Sequence, residues 1–193
     1  MKTKVALITV SSVLASARVF SQGTVIVDQY SFTGPPSADQ LTAITPGQPF
    51  GQSFTPSLQA VGFIDLALAG DLSGHGGDVH INLLSGSITG QVIGTSDSVY
   101  VSAFSVYTFN FANAVAVNPG TTYYFQPVVE AGGGNLVTPA LLQAYAGGTA
   151  YYLGNPTPNG DLEFQEGIYV PEPSTWAVLL LGARALWLAR RRG

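Results

Sequence analysis

His75 and His80, the two histidines of the chain, fall together in the stretch GDLSGHGGDVH beside Asp71 and Asp78. Imidazoles and carboxylates this close are the raw material of a metal site, yet their spacing matches no zinc or calcium loop template. A Gly-rich loop turning between strands in solvent accounts for the same residues. Were a metal to bind, the carboxylates of Asp71 and Asp78 favour calcium over zinc, because a hard cation takes oxygen ligands. His80 alternates with Val79 and Ile81 and is expected on the outer face of a strand.

Hydrolytic chemistry has less to work with. No serine sits in a G-x-S-x-G elbow. With no cysteine in the chain, thiol catalysis and a Cys-based zinc site are excluded. Asp161-x-Glu163 would put two acids on one strand face about 6 to 7 Å apart, which resembles a glycosidase pair and equally a solvated strand edge. The expectation is that the chain is not an enzyme. Carbohydrate recognition, which stacks exposed rings on sugar faces beside short polar side chains, is better served by Tyr145, Tyr151 and Tyr152 near Asn155 and Asn159. The alternative for such rings is core packing, and Tyr123, Phe125, Phe109 and Phe111 are assigned to it.

The elements that must position these residues are strands. Alternation of period two runs through Val79-x-Ile81-x-Leu83, Val99-x-Val101, Tyr107-x-Phe109-x-Phe111, Val115-x-Val117 and Tyr123-x-Phe125. Turn signals punctuate it at Pro35-Pro36, Pro46-Gly47, Ser73-Gly74, Ser85-Gly86, Pro119-Gly120 and Asn159-Gly160. Strands are expected near 24–31, 50–55, 58–69, 78–85, 91–95, 98–103, 105–111, 114–117, 121–130, 143–146, 149–153 and 161–166. Many short strands without a convincing helix predict an all-β fold, an antiparallel, jelly-roll-like β-sandwich. Residues 22–169 suffice for one such domain.

Charge separates this body from its ends. Every Lys and Arg lies outside residues 19–183, whereas the body carries Asp28, Asp39, Asp65, Asp71, Asp78, Asp97, Glu130, Asp161, Glu163 and Glu166. A purely acidic body excludes nucleic acid as a partner, since phosphate binding needs Lys and Arg to displace counterions.

Both ends read as addresses. Lys2 and Lys4 precede an apolar stretch at 5–15 and an A-x-A-like site at Ala15-Ser16-Ala17, with a cut after Ser21 as the alternative to one after Ala17, so a secretory signal peptide removed by signal peptidase is expected within residues 1–21. At the other end, residues 170–193 run from Val170, Pro171, Glu172 and Pro173 through an apolar stretch to Arg190, Arg191 and Arg192. The prolines hold the chain extended, and a short transmembrane-type helix is expected from Ser174, its natural N-cap. The stretch 176–189 has 14 residues, about 21 Å of helix against about 30 Å of bilayer hydrocarbon. By the positive-inside rule the Arg cluster stays cytoplasmic and the body lies outside. Trp176 and Trp187 belong to the tail as interfacial anchors.

This order, VPEP, apolar stretch and Arg cluster, resembles the PEP-CTERM sorting signal of Gram-negative bacteria. The resemblance implies processing by an exosortase-type enzyme, a transient inner-membrane anchor, then a place at the cell surface or in the extracellular matrix, in a setting of exopolysaccharide and biofilm formation. Arg184, where that family has an apolar or small residue, departs from the pattern and weakens stable anchoring more than recognition. The body is similar in its turn to β-sandwiches of PEP-CTERM and other bacterial surface proteins, through GQSFTPS at 51–57 and the Pro119-Gly120-x-x-Tyr123 turn. The expected role is structural or exopolysaccharide-associated, with carbohydrate binding through surface tyrosines as the alternative and a secreted glycoside hydrolase a distant one.

Overall fold

Along Gly77–Ser85, Val79, Ile81 and Leu83 are completely buried while Asp78 is exposed and His80 and Asn82 are half-buried. Such alternation is what a sheet with one face on a core and one face toward solvent requires. It recurs along Tyr123–Val129, where Tyr123, Phe125 and Pro127 point inward. In this computed structural model the described residues are 23–32, 41–71, 74–131, 133–142, 145–157 and 160–170.

In chain order the strands are β1 (Thr24–Tyr30), β2 (Leu41–Ala43), β3 (Gly51–Phe54), β4 (Ala60–Leu68), β5 (Gly77–Ser85), β6 (Gln91–Thr95) and β7 (Val99–Val101). There follow β8 (Ser105–Ala116), β9 (Tyr123–Val129), β10 (Val137–Leu142), β11 (Ala150–Tyr152), β12 (Asn155–Pro156), β13 (Gly160–Leu162) and β14 (Phe164–Val170). A single 3-10 turn, Thr45–Gly47, is the one helical element among the described residues. The fold is all-β, and among the described residues every strand pairing is antiparallel.

A four-stranded sheet runs β1-β14-β4-β8, and a seven-stranded one runs β12-β11-β3-β9-β5-β6 with β7 beside β5. A small third sheet has the order β13-β10-β2. Between the two larger sheets lies one core, to which β4 contributes Ile64, Leu66 and Leu68, β8 contributes Phe109 and Phe111, and β5 contributes Val79, Ile81 and Leu83. An aromatic knot ties the sheets together: Phe164 of β14 lies 5.0 Å from Phe125 of β9 and 6.5 Å from Phe54 of β3. Each such ring, fully buried, contributes about 1.5 to 3 kcal/mol relative to exposure. The Pro119-Gly120 turn forms as expected, with Gly120 at φ +76° and the Asn118 N–H donating to the Tyr123 hydroxyl at 3.0 Å.

Two strand expectations are corrected. The stretches 105–111 and 114–117 are a single strand, β8, because β4 pairs with it at both ends, at 105–110 and at 115–116, and the extra residues between lie in β8 opposite the step from Val61 to Phe63. The strand expected at 143–146 lies earlier, at Val137–Leu142, with Tyr145 and Ala146 outside it. No helix among the described residues is long and apolar enough to cross a membrane. The signal peptide, Pro171, Glu172, Pro173, the apolar stretch and the Arg cluster lie outside the described residues. Val170 is within them, exposed at the end of β14 opposite Thr24.

Candidate functional site

At one end of the seven-stranded sheet, three neighbouring strands bring three chemically useful side chains into one row. Asp78 of β5 is directly opposite Tyr100 of β7. On its other side Glu130, just past β9, donates its N–H to the Asp78 carbonyl at 2.9 Å. Opposed residues share a sheet face, and Val79, next to Asp78, is turned into the core, so Tyr100, Asp78 and Glu130 stand side by side on the outer face. Together with Gly76, Gly77, Ala131 and Gly133 they line an open cleft of about 270 Å3. The glycines are required by close approach: a Cβ on Gly76 would lie 2.5 Å from the Val101 carbonyl oxygen and 2.7 Å from the Tyr100 ring, and one on Gly77 would lie 2.8 Å from the Gly133 Cα.

The cleft is anionic. A hydrogen bond from the Ser98 side chain, and then one from His80, hold the Glu130 carboxyl below the usual carboxylate range, against a weaker opposing effect of burial. His80 Nδ1 is 3.3 Å from Glu130 Oε1. Tyr100 is 61% exposed beside the two acids, with its ring packed against Gly76. Asp71 does not line the cleft; its Oδ1 accepts the His75 N–H at 2.7 Å and its Oδ2 lies 3.2 Å from His75 Nδ1. Asp71 and Asp78 thus serve different local structures. Among the described residues no group of three or more His, Asp or Glu side chains is gathered as a metal would need.

The outer face continues away from the cleft as a polar and aromatic strip. His80 and Asn82 follow Asp78 along β5, and the Thr95 hydroxyl donates to Asn82 Oδ1 at 2.9 Å. Gln126, opposite Asn82, donates to Gln48 Oε1 at 2.7 Å. Beyond them Tyr124 and Tyr151 meet edge to face at 5.6 Å. From Asp78 to the level of Tyr124 the strip is about 20 Å long, at 3.4 Å per residue.

The three tyrosines named from sequence do not share a surface. Tyr145 is half-buried, 5.2 Å from Phe164, with its hydroxyl donating to Gln29 Oε1 at 2.8 Å and accepting the Thr55 N–H. Tyr151 belongs to the strip. Tyr152, its neighbour in β11, points to the other side, 37% exposed against Phe50. Tyr100 and Glu130, which sequence reading missed as site residues, are the ones the fold adds; the signal for Tyr100 was alternation in the short Val99-x-Val101 strand, and that for Glu130 its place at the end of the strand expected at 121–130.

A second acidic region is closed to solvent. Asp161 and Glu163, expected at a solvated edge, are 3% and 1% exposed. Asp161 accepts Gln52 Nε2 at 2.9 Å and the Tyr145 N–H at 3.0 Å. A bulge between Val27 and Gln29 in β1 throws Asp28 toward the next loop, where it accepts the N–H groups of Ser57 at 2.7 Å and Leu58 at 3.0 Å and the Ser57 hydroxyl. Partial burial raises the Asp28 pKa, but these bonds outweigh it and hold the carboxyl below its ordinary value. Glu166 is 0% exposed, and among the described residues no N–H or O–H donor gives a hydrogen bond to either of its oxygens. Burial first, then the Asp28 charge, push its pKa to about 9, so at neutral pH Glu166 is protonated and donates to Asp28. Burial and the charges of Glu166, Asp28 and Asp161 push Tyr145 to about 12, although the Thr55 N–H opposes them.

No family model matches the chain and no curated protein matches it. The geometry of the cleft and strip therefore carries the functional reading.

Proposed function

We propose that the chain is an exported cell-surface or extracellular-matrix protein, sent outward by residues 1–21, sorted through Val170, Pro171, Glu172 and Pro173, and built to hold polysaccharide rather than cleave it. The observation that carries this reading is the Tyr100–Asp78–Glu130 row on an open cleft at the end of a polar, tyrosine-bearing strip. An exposed ring beside acceptors for hydroxyl groups is the chemistry by which a sheet face holds a sugar. The buried acids argue against hydrolysis, because Asp161, Glu163 and Glu166 are sealed from any substrate.

The jelly-roll reading has support from strand order. Taking the principal strands alone, one sheet is β1-β14-β4-β8 and the other β3-β9-β5-β6. Numbered one to eight along the chain these are 1-8-3-6 and 2-7-4-5, the order two interlocked Greek keys generate. Lectin domains use this architecture, though architecture alone assigns no ligand.

The test is retention of the full chain on a panel of soluble and insoluble polysaccharides that includes the producing organism's own matrix. Saturable binding that is lost on Tyr100→Ala and kept on Tyr152→Ala is expected. Absence of binding to every member would remove the polysaccharide role and leave a purely structural one.

A further inference from the structure

The cleft concentrates negative charge, and no Lys or Arg is among its described lining residues. Asp78 and Glu130 flank it, Lys and Arg are absent from residues 19–183, and among the described residues His80 is the one basic group that meets either acid, at Glu130. A uronic acid would be repelled here. A neutral sugar would bury two carboxylates against hydroxyl groups alone, without a charge to offset their desolvation. A bare calcium ion takes six to eight oxygen ligands, and no group of three or more ligating side chains is present among the described residues. What complements the site is an organic cation carrying several N–H donors on a ring that can lie against an aromatic face.

We propose that the cleft selects a protonated amino sugar, a glycan unit whose ring amine is free rather than acetylated, with the ammonium between Asp78 and Glu130 and the sugar ring on Tyr100. This rests on the polysaccharide reading above and gives it a substrate class. The cleft, about 270 Å3, lies at the small end of ligand sites and suits one sugar ring rather than a chain enclosed end to end. The adjoining strip, with Asn82, Gln126, Tyr124 and Tyr151, then carries the following units of the polymer. Ser98 and His80 keep Glu130 ionised in mild acid, where a sugar amine is also fully charged.

The experiment is calorimetric titration of the full chain with a glucosamine tetramer, its fully N-acetylated counterpart and a uronic acid tetramer, each with and without chelator. The glucosamine tetramer is expected to bind at least about tenfold more tightly than the acetylated one, with or without chelator. Asp78→Asn and Glu130→Gln should each remove about tenfold of that affinity, as expected for a lost charge-assisted hydrogen bond. Asp97→Asn is the control, since it removes the same charge from an exposed site and retains a carbonyl oxygen for the Asn110 N–H that now donates at 2.7 Å. If Asp97→Asn weakens binding as much, attraction is to the body's overall charge and the proposal is wrong. Equal or tighter binding of the acetylated tetramer, still dependent on Tyr100, would overturn amine selectivity and leave the polysaccharide reading standing. Chelator-sensitive binding of the uronic acid would make the cleft a cation site and overturn it too. Binding of none of the tetramers, or of the native matrix, would remove both.

Discussion

The acids of the cleft and the acids beneath β1 and β14 are the same residue types in opposite physical states. Asp78 and Glu130 face water, and hydrogen bonds hold Glu130 more acidic than usual. Glu166 is sealed from water and held neutral, its proton shared with Asp28. Solvent and donors decide the difference, since a carboxylate is comfortable where water or an N–H meets it and must otherwise keep its proton. A body with no Lys or Arg has no cation to neutralise a buried acid, so protonation is the means left to it. The exposed pair, by contrast, is free to use its charge on a ligand.

The largest effect that would break this contrast is ionising Glu166. Its folded pKa of about 9 lies above the ordinary 4.5, so the folded state holds a proton that the unfolded chain releases. The stability this contributes is fully present below 4.5 and is lost as pH rises to about 9. Each pH unit between those two values removes about 1.4 kcal/mol, so the loss across the window is on the order of several kcal/mol. Urea unfolding should show wild-type stability falling from pH 5 to pH 9, and Glu166→Gln, which keeps the neutral shape, should flatten the fall. An equal slope in both proteins would show that Glu166 is already ionised. Asp28 works the other way: its lowered pKa contributes stability above 3.8 that is lost as pH falls through the lowered value. Asp28→Asn should therefore remove part of the acid-side loss.

Next in size is Asp161→Leu, which leaves the Gln52 amide and the Tyr145 N–H without their buried acceptor. A loss of about 3 kcal/mol is expected in the same unfolding experiment. A change below about 1 kcal/mol would mean that water reaches these donors and that the region is not sealed.

The strands that position the cleft were legible because alternation is a local signal. Val79, Ile81 and Leu83 mark the inner face of β5 and therefore fix Asp78 and His80 on the outer one. The Pro119-Gly120 turn and the inward Tyr123 were readable for the same reason. The small β13-β10-β2 sheet was not, because Pro139 interrupts β10 and β2 has only three residues, Leu41–Ala43, too short for a period to appear. Asp161 was misread because its burial depends on Gln52, far away in sequence. The cleft failed to appear for a related reason: Tyr100, Asp78 and Glu130 become neighbours only through strand register.

The smallest effects sharpen the comparison by separating affinity from stability. Glu130 lies at the surface with its side chain 44% exposed, so Glu130→Gln should lower the urea midpoint only slightly while weakening the glucosamine tetramer about tenfold. Tyr152→Ala should do the reverse, since it removes an edge contact with Phe50 at 6.5 Å and touches no part of the cleft. About 1 kcal/mol of stability and no affinity should be lost. A Tyr152→Ala variant that lost sugar binding with an unchanged midpoint would move the ligand to the β11 end of the sheet, because a ring that only supports Phe50 has no route to the cleft except through a general loosening, and that loosening would show in the midpoint.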